Sequence, residues 1–432
     1  MNAHSKSSAY AGVLTKAIAL HQAGKMDEAE SLYKTLLSSN PQDGAALTLL
    51  GTLYAQRGDL IKGIELLDKA IAINPRHAEA HFNRGLAVQL QGNYEEALLS
   101  YEKATVLDPS YEDAFWHKSL ILLTLGQYEE GWKLYEWRWK RDGKCSQRNF
   151  QAPLWLGKAS LANKTILIHA EQGFGDTLQF CRYLPLLADI AGRVIFECDA
   201  SLVSLMRYNF PGVQVVPSAT DHLGTNGLPA HDFQTPLLSL PHAFATTLSN
   251  IPAEPYLKAE PERIEKMHSV LAGKQDKKSR SVGLCWAGGQ RPDRPDALAV
   301  DAKRSLTFAQ MKPLLDIAGT AFVSLQLGPP KAQMEGSRVL DISADIKDWS
   351  DTAAIIALLD LVVSADTSVC HLAAAIGKPT YLLNRYDTCW RWLLNRDDSP
   401  WYPSLTQFRQ KTPGDWEEVI ERVKSRLQFL IP

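Results

Sequence analysis

The chain has 432 residues, 22% of them charged and 45% hydrophobic, with a formal net charge of -2 at pH 7. That length accommodates two or three domains with separate cores, and the near-neutral balance gives no overall pull toward nucleic acid or an anionic membrane surface. No apolar run approaches the roughly 20 residues needed to span a bilayer, and the opening MNAHSKSSAYAG lacks the apolar core of a signal peptide, so the expectation is a cytoplasmic protein without a membrane span.

The first third repeats itself every 34 residues: Pro41, Pro75 and Pro109 keep that interval, as do Gly24, Gly58, Gly92 and Gly126, then Ala29, Gly63, Ala97 and Gly131, and finally Tyr33, Leu67, Tyr101 and Tyr135. Small residues where helices cross, aromatics on the inner face and a closing proline resemble the tetratricopeptide repeat, a helix–turn–helix unit that stacks into a superhelix. Four units fit, near 10–40, 41–74, 75–108 and 109–142, within a predicted repeat domain over 1–143. The concave side of such a stack has two readings, a groove for an extended peptide or the by-product of a rigid spacer.

Beyond Gly143 short apolar runs alternate with helical patterns, which predicts an α/β region with parallel sheets. In its first half, predicted over 144–275, strands fall near 165–169, 193–197 and 213–216, followed by HDFQTPLLSLPH from 231. The polar stretch 271–280 marks a boundary, and the second half, 276–432, restarts with SVGLCWAGG at 281–289, a helix after Ser305, a strand at 321–326 and the apolar run 361–363.

Two strand-to-helix junctions carry chemistry. Lys164–Phe180 reads KTILIHAEQGFGDTLQF, in which Gly173 and Gly175 allow close backbone approach and Asp176 stands at the mouth of a helix. Asp360–Pro379 reads DLVVSADTSVCHLAAAIGKP, in which Asp366, Thr367, Ser368 and His371 surround a helix N-terminus suited to an anionic group or sugar hydroxyls. Each junction also reads as an ordinary helix cap, with His371 packed on the first turn of the second helix.

With both in place, the chain from about Leu154 to its end resembles glycosyltransferase family nine, the ADP-heptose:lipopolysaccharide heptosyltransferases, and more closely the bacterial proteins that join such a domain to tetratricopeptide repeats. The matching blocks are EQGFGDTLQFCRY, VGLCWAG, KRSL, SADTSVCHLAAAIGKP, and WRWLL with SPWYP. The resemblance implies a GT-B fold of two Rossmann-like halves and an inverting, metal-independent transfer from a nucleotide-sugar held mostly by the C-terminal half. By residue it places the catalytic base on Asp176 and donor contacts on Asp366, Thr367 and His371, with Arg304 as the basic group near the diphosphate. Ser305 and Ser368 extend those donor blocks, and Gly173 and Gly175 line the facing junction. Trp286, ending the strand of the second half, is either a stacking platform for the base or sugar or a core residue, and Trp390, Arg391 and Trp392 either line the donor mouth or pack between the halves. The polar run 289–297 reads as a loop over donor or acceptor, or as plain disorder.

No metal is expected: His222, His231 and His242 lack ligand spacing, and the nearest approach to an Asp-x-Asp motif, Asp345–Asp348, has the wrong spacing. The cysteines at 145, 181, 198, 285, 370 and 389 form no Cys-x-x-Cys pair, so they read as reduced and mostly buried thiols. The expected partners are therefore a nucleotide-sugar donor and a protein or peptide acceptor in the repeat groove, or a glycan acceptor, with no cofactor. The rival reading is a scaffold that binds partners through its repeats and carries a vestigial glycosyltransferase domain.

Overall fold

The structure is a computed structural model that describes residues 3–141, 148–218, 227–272, 279–289 and 295–429. Cys145, His222, most of the stretch 271–280 and the middle of the run 289–297 lie outside the described residues. The chain divides into two compact units, Met1–Cys145 and Ser146–Pro432.

The first unit consists of antiparallel helix pairs: α1 (Ala3–Gln22) with α2 (Met26–Ser39), α3 (Gly44–Gln56) with α4 (Leu60–Ile73), α5 (Ala78–Leu90) with α6 (Tyr94–Leu107), and α7 (Glu112–Thr124) with α8 (Tyr128–Tyr135). One turn is used four times. Gly24, Gly58, Gly92 and Gly126 adopt φ of 75°, 88°, 87° and 76°. The residue after each glycine donates its N–H to the carbonyl five positions back: Lys25 to Leu20, Asp59 to Tyr54, Asn93 to Val88 and Gln127 to Leu122. This is the glycine-terminated helix end that satisfies otherwise orphaned carbonyls, and a side chain at the left-handed position costs about 1–2 kcal/mol.

The other periodic positions set how closely helices approach. A Cβ on Gly63 would lie 2.9 Å from the Gly51 carbonyl oxygen, so α3 and α4 cross backbone to backbone. Ala29, Ala97, Tyr33, Leu67 and Tyr101 are fully buried. Charges follow the same period: Arg84 pairs with Asp68 and Glu96, and Lys118, 34 positions on, pairs with Glu102 and Glu130. The acids are about half exposed, so each pair contributes no more than about 1 kcal/mol and mainly marks the register between neighbouring units.

The second unit contains two sheets in which every pairing is parallel. The first holds β1 (Thr165–His169), β2 (Arg193–Cys198), β3 (Val213–Pro217) and β4 (Phe233–Pro236) in the order β3-β2-β1-β4. The second holds β5 (Arg280–Cys285), β6 (Thr320–Ser324), β7 (Leu340–Asp341), β8 (Leu361–Ala365), β9 (Thr380–Asn384) and β10 (Leu405–Arg409) in the order β10-β9-β8-β5-β6-β7. Sequence alone places β1, β2, β3, β5, β6 and β8 to within a few residues; β4 lies in the stretch from 231, to which sequence alone assigns no strand, and β7, β9 and β10 go unseen. Every residue of β8 and β9 is buried, as expected of strands covered by helices on both faces.

Strand order fixes where a ligand crevice lies. The chain reverses direction across each sheet between β1 and β4 and between β5 and β8, and in open parallel sheets the crevice opens beyond the carboxyl ends of the strands at such a reversal. Both sequence junctions follow a strand at one of these points, β1 in the first sheet and β8 in the second.

The close packing of the repeats yields a paired expectation. A Cβ on Gly85 of α5 would sit 2.6 Å from the Tyr101 ring, whereas one on Gly12 of α1 meets nothing within 4 Å. Gly12→Ala should gain about 0.5–1 kcal/mol through helix propensity, and Gly85→Ala should lose about 1–3 kcal/mol to overpacking despite the same propensity gain. Urea unfolding midpoints of the two variants check this; stabilisation by Gly85→Ala would show that Tyr101 moves aside at no cost.

Candidate functional site

The two junctions meet. After β1, residues Ala170–Gly173 lead into the helix Phe174–Phe180; after β8, Asp366 and Thr367 lead into the helix Ser368–Ile376, and these two helices pack against each other. Gly175 is the contact point: a Cβ there would fall 2.9 Å from His371 Cδ2 and 3.7 Å from Ser368 Cα. Glycine is required at 175 by this close approach and not by backbone conformation, since neither Gly173 nor Gly175 has a left-handed φ. Gly173 is instead the N-cap residue, with φ -76° and ψ 172°.

Asp176 is held at both oxygens. Its Oδ2 accepts the Gly173 N–H at 3.0 Å, a bond from the third helical residue back to the N-cap that stands alone because glycine has no side chain to return it, and its Oδ1 accepts from Arg391 Nη2. Arg391 comes from the far end of the second sheet's half, 215 positions along the chain, and also donates Nε to Gln179 Oε1 at 2.6 Å. Its guanidinium lies 4.2 Å from the centre of the Trp390 ring, with Nη1 3.2 Å from Cys389 Sγ. The Arg391 and Asp176 side chains are 10% and 19% exposed, which makes this a largely desolvated pair and stronger than a surface ion pair. The cap reading of Asp176 is thus present in the structure together with a cationic partner from the facing half.

One turn further along, Arg182 is buried. It donates to the carbonyls of Gln179 at 2.7 Å, Trp401 at 2.8 Å and Pro252 at 3.3 Å and to the Tyr256 hydroxyl at 3.0 Å, with the Tyr256 and Tyr402 rings 4.5 and 4.6 Å away. Carbonyl dipoles and aromatic faces here replace the water of a surface arginine.

On the facing side, the His371 ring stacks on Trp392 with centroids 5.3 Å apart, and its Nδ1 lies 2.9 Å from the Tyr402 hydroxyl. Nε2 lies 3.8 Å from Asp366 Oδ1. Burial pushes His371 down to about 4, so the imidazole is neutral at physiological pH. Burial by itself would raise the Asp366 carboxyl, but the adjacent His371 ring together with the charges of Arg304 and Arg391 outweighs it and holds the group below the ordinary aspartate range. Asp366 is therefore an anion surrounded by donors and cations.

The remaining expected donor contacts divide. Arg304 pairs with Asp301, with Nε 2.7 Å from Oδ1, and stays within electrostatic reach of Asp366. Ser368 is half-buried beside Gly175. Thr367 does not present its hydroxyl to a ligand; the group turns under the helix to meet Ser364 Oγ at 3.1 Å and Cys285 Sγ at 3.5 Å. The Ser305 Oγ is engaged by the Gly288 N–H at 3.1 Å. Trp286 is fully buried against Phe308, ring centroids 5.0 Å apart, so it is a core residue and no platform for a base or sugar. Sequence reasoning weighed Arg391 without a partner and passed over Gln179, Arg182 and Tyr402; the signal available was that three of them lie in the blocks EQGFGDTLQFCRY and SPWYP.

Two hollows lie elsewhere in the second unit: one of about 260 Å³ lined by Leu154, Trp155, Lys158 and His242, and an open one of about 700 Å³ lined by Phe408, Glu418, Arg422 and Phe429. Among the described residues no group of three His, Cys, Asp or Glu is arranged to hold a metal ion, and no helix is long and apolar enough to cross a membrane.

Tetratricopeptide-repeat profiles match residues 20–86 and 78–111, so the first unit is a run of these repeats, an architecture that offers a surface for protein partners. Protein FlbA of Caulobacter vibrioides is 27% identical over 459 residues, covering 96% of this chain and 72% of that protein. Among solved structures, a MamA protein is similar at 24% identity and a TM-score of 0.27, covering 30% of this chain and 70% of that one. YrrB, titled a TPR protein with an unusual peptide-binding site, is similar at 15% identity and a TM-score of 0.27, covering 30% of this chain and 67% of that one.

The buried imidazole gives the fold a pH dependence. His371 titrates near 4 when folded and near 6.5 when unfolded, so between those values the unfolded chain binds a proton that the folded chain does not. Its contribution is therefore intact above about pH 6.5 and is lost as pH falls, by up to about 1.4 kcal/mol per unit and about 3 kcal/mol in all. His117, also pushed down to about 4 by burial, adds a separate share from the repeats. Urea unfolding at pH 7 and pH 5 should show His371→Gln losing less stability across that interval than the wild type; equal losses would mean the imidazole is already protonated when folded.

Proposed function

We propose that the second unit is an inverting glycosyltransferase of GT-B architecture, drawing on a nucleotide-sugar, and that the repeats present a protein or large glycan acceptor. The observation that carries this reading is the meeting of two strand-end crevices, one supplying Asp176 and the other Asp366, His371 and Arg304, across a contact with no side chain at Gly175.

Inverting transfer is one displacement. The acceptor hydroxyl gives its proton to a carboxylate, its oxygen bonds to the anomeric carbon, and the bond from that carbon to the nucleoside diphosphate breaks, leaving the negative charge on the diphosphate. In this reading Asp176 takes the proton. Asp366 and neutral His371 bond the sugar or ribose hydroxyls, and the backbone N–H groups that open the helix Ser368–Ile376, with Arg304, stabilise the departing charge. Groups fixed before the reaction suit this work, because they need no reorganisation as charge develops.

One observation favours the scaffold reading instead. Both Asp176 oxygens already have donors, Gly173 N–H and Arg391, so each is already engaged where an acceptor hydroxyl would have to approach. A thermal-shift panel of UDP-, GDP-, ADP- and CMP-sugars separates the two. A native-state ligand at a hundred times its dissociation constant contributes about 2.7 kcal/mol, so at least one member should raise the melting temperature by several degrees. With the active sugar, Asp176→Asn should cut transfer about a hundred- to ten-thousand-fold. A flat panel would leave the scaffold reading standing, whereas near-normal turnover by the variant would show that Asp176 is only a helix cap and that another group is the base.

A further inference from the structure

Arg391 is a cation that reaches both sides of the site where the two junctions meet. It is bonded to Asp176 and Gln179 on the first side, while its charge acts on Asp366 and His371 on the second. The short helical turn Trp390–Trp392 fixes it there, with the Trp390 ring 4.2 Å from the guanidinium and the Trp392 ring stacked on His371. Asp176 caps the helix through its other oxygen, Oδ2, on the Gly173 N–H, and that bond does not involve the arginine. Guanidinium binds carboxylate and phosphate through the same planar pair of N–H groups, so the two anions compete for one edge.

Resting on the glycosyltransferase reading, we propose that Arg391 is a shared cation, held by Asp176 when no donor is bound and transferred to the donor's diphosphate when one arrives, so that donor binding itself frees the base. A diphosphate carries more charge than a carboxylate and outcompetes it at this edge. Released, Asp176 Oδ1 is open to the acceptor hydroxyl at the stage when that hydroxyl must lose its proton. The guanidinium then neutralises the diphosphate as the bond from the anomeric carbon breaks and the electron pair passes to the leaving oxygen.

Inorganic pyrophosphate, titrated calorimetrically into the full chain in the presence of EDTA, tests the exchange without knowledge of the sugar. Removing the competitor by Asp176→Asn should tighten pyrophosphate binding about tenfold or more, the equivalent of one charge-assisted hydrogen bond. In an Arg391→Gln background the same substitution should change affinity less than about twofold, because a double-mutant cycle isolates what passes through the arginine. If melting shows that Arg391→Gln does not fold, Arg391→Lys takes its place, since an ammonium lacks the planar fork whose separate N–H groups hold Gln179 and Asp176, and the effect should then fall within about threefold. Equal tightening in both backgrounds would mean that Asp176 acts only as a distant negative charge, and the exchange would be wrong. If pyrophosphate binding is weakened by Arg304→Gln yet shows no coupling between positions 176 and 391, the exchange fails while the diphosphate site stands. Failure of every variant to bind pyrophosphate would overturn both.

Discussion

The missing side chain at Gly175 is the constraint on which the arrangement of the second unit rests. With no Cβ there, the helix after β1 seats directly on His371 at the start of the helix after β8, and the helices that follow one strand of each sheet are brought into contact. The neighbouring residue, Asp176, is thereby brought to Arg391, and Gln179 and Arg182 follow on the next turn. Polar groups that would be costly to bury alone find partners across the crevice: a carboxylate meets a guanidinium, an arginine meets carbonyls, and an imidazole meets a phenol. A side chain at 175 would overlap the His371 ring and force one of the two helices or that ring to shift.

The two units solve the burial problem in opposite ways. In the repeats, each helix packs on its neighbours in sequence, and a left-handed glycine every 34 residues returns the chain for the next layer. Contacts are local, so each unit adds stability largely through its own interior and its nearest interface. In the second unit the decisive contacts span more than 200 positions, as between Arg391 and Gln179, 212 apart, and most of the specificity lies in a few buried polar groups instead of a periodic pattern.

That difference explains what could be read from the sequence. The repeats were legible because their physics is periodic: the same glycine, small residue and aromatic recur wherever the same turn, crossing and core position recur. β1, β2 and β8 were legible as unbroken apolar runs. β9 starts directly after Pro379 and ends at Asn384, and β10 reads LTQFR with polar residues inside the strand, so neither shows the signature of a buried parallel strand. At the site, the junctions could be located but not the direction of each side chain. Thr367 and Trp286 have the right chemistry for a ligand and point into the protein. Nothing in the local sequence of Arg391 specifies that its acid is Asp176, because that choice is made by sheet order and by the close approach at Gly175.

The environment of Arg182 bears on how the chain emerges from the ribosome. Its carbonyl acceptor at Trp401 is synthesised 219 residues later, which at roughly 5–20 residues per second is a delay of about 10–45 s. During that interval the first sheet can pair its strands, but the helix after β1 carries a guanidinium whose cage does not yet exist and an apolar face, Phe180, that awaits Trp390 and Trp401. The nascent half therefore remains open on the side that later forms the crevice, and completion of the C-terminal segment is the event that closes it.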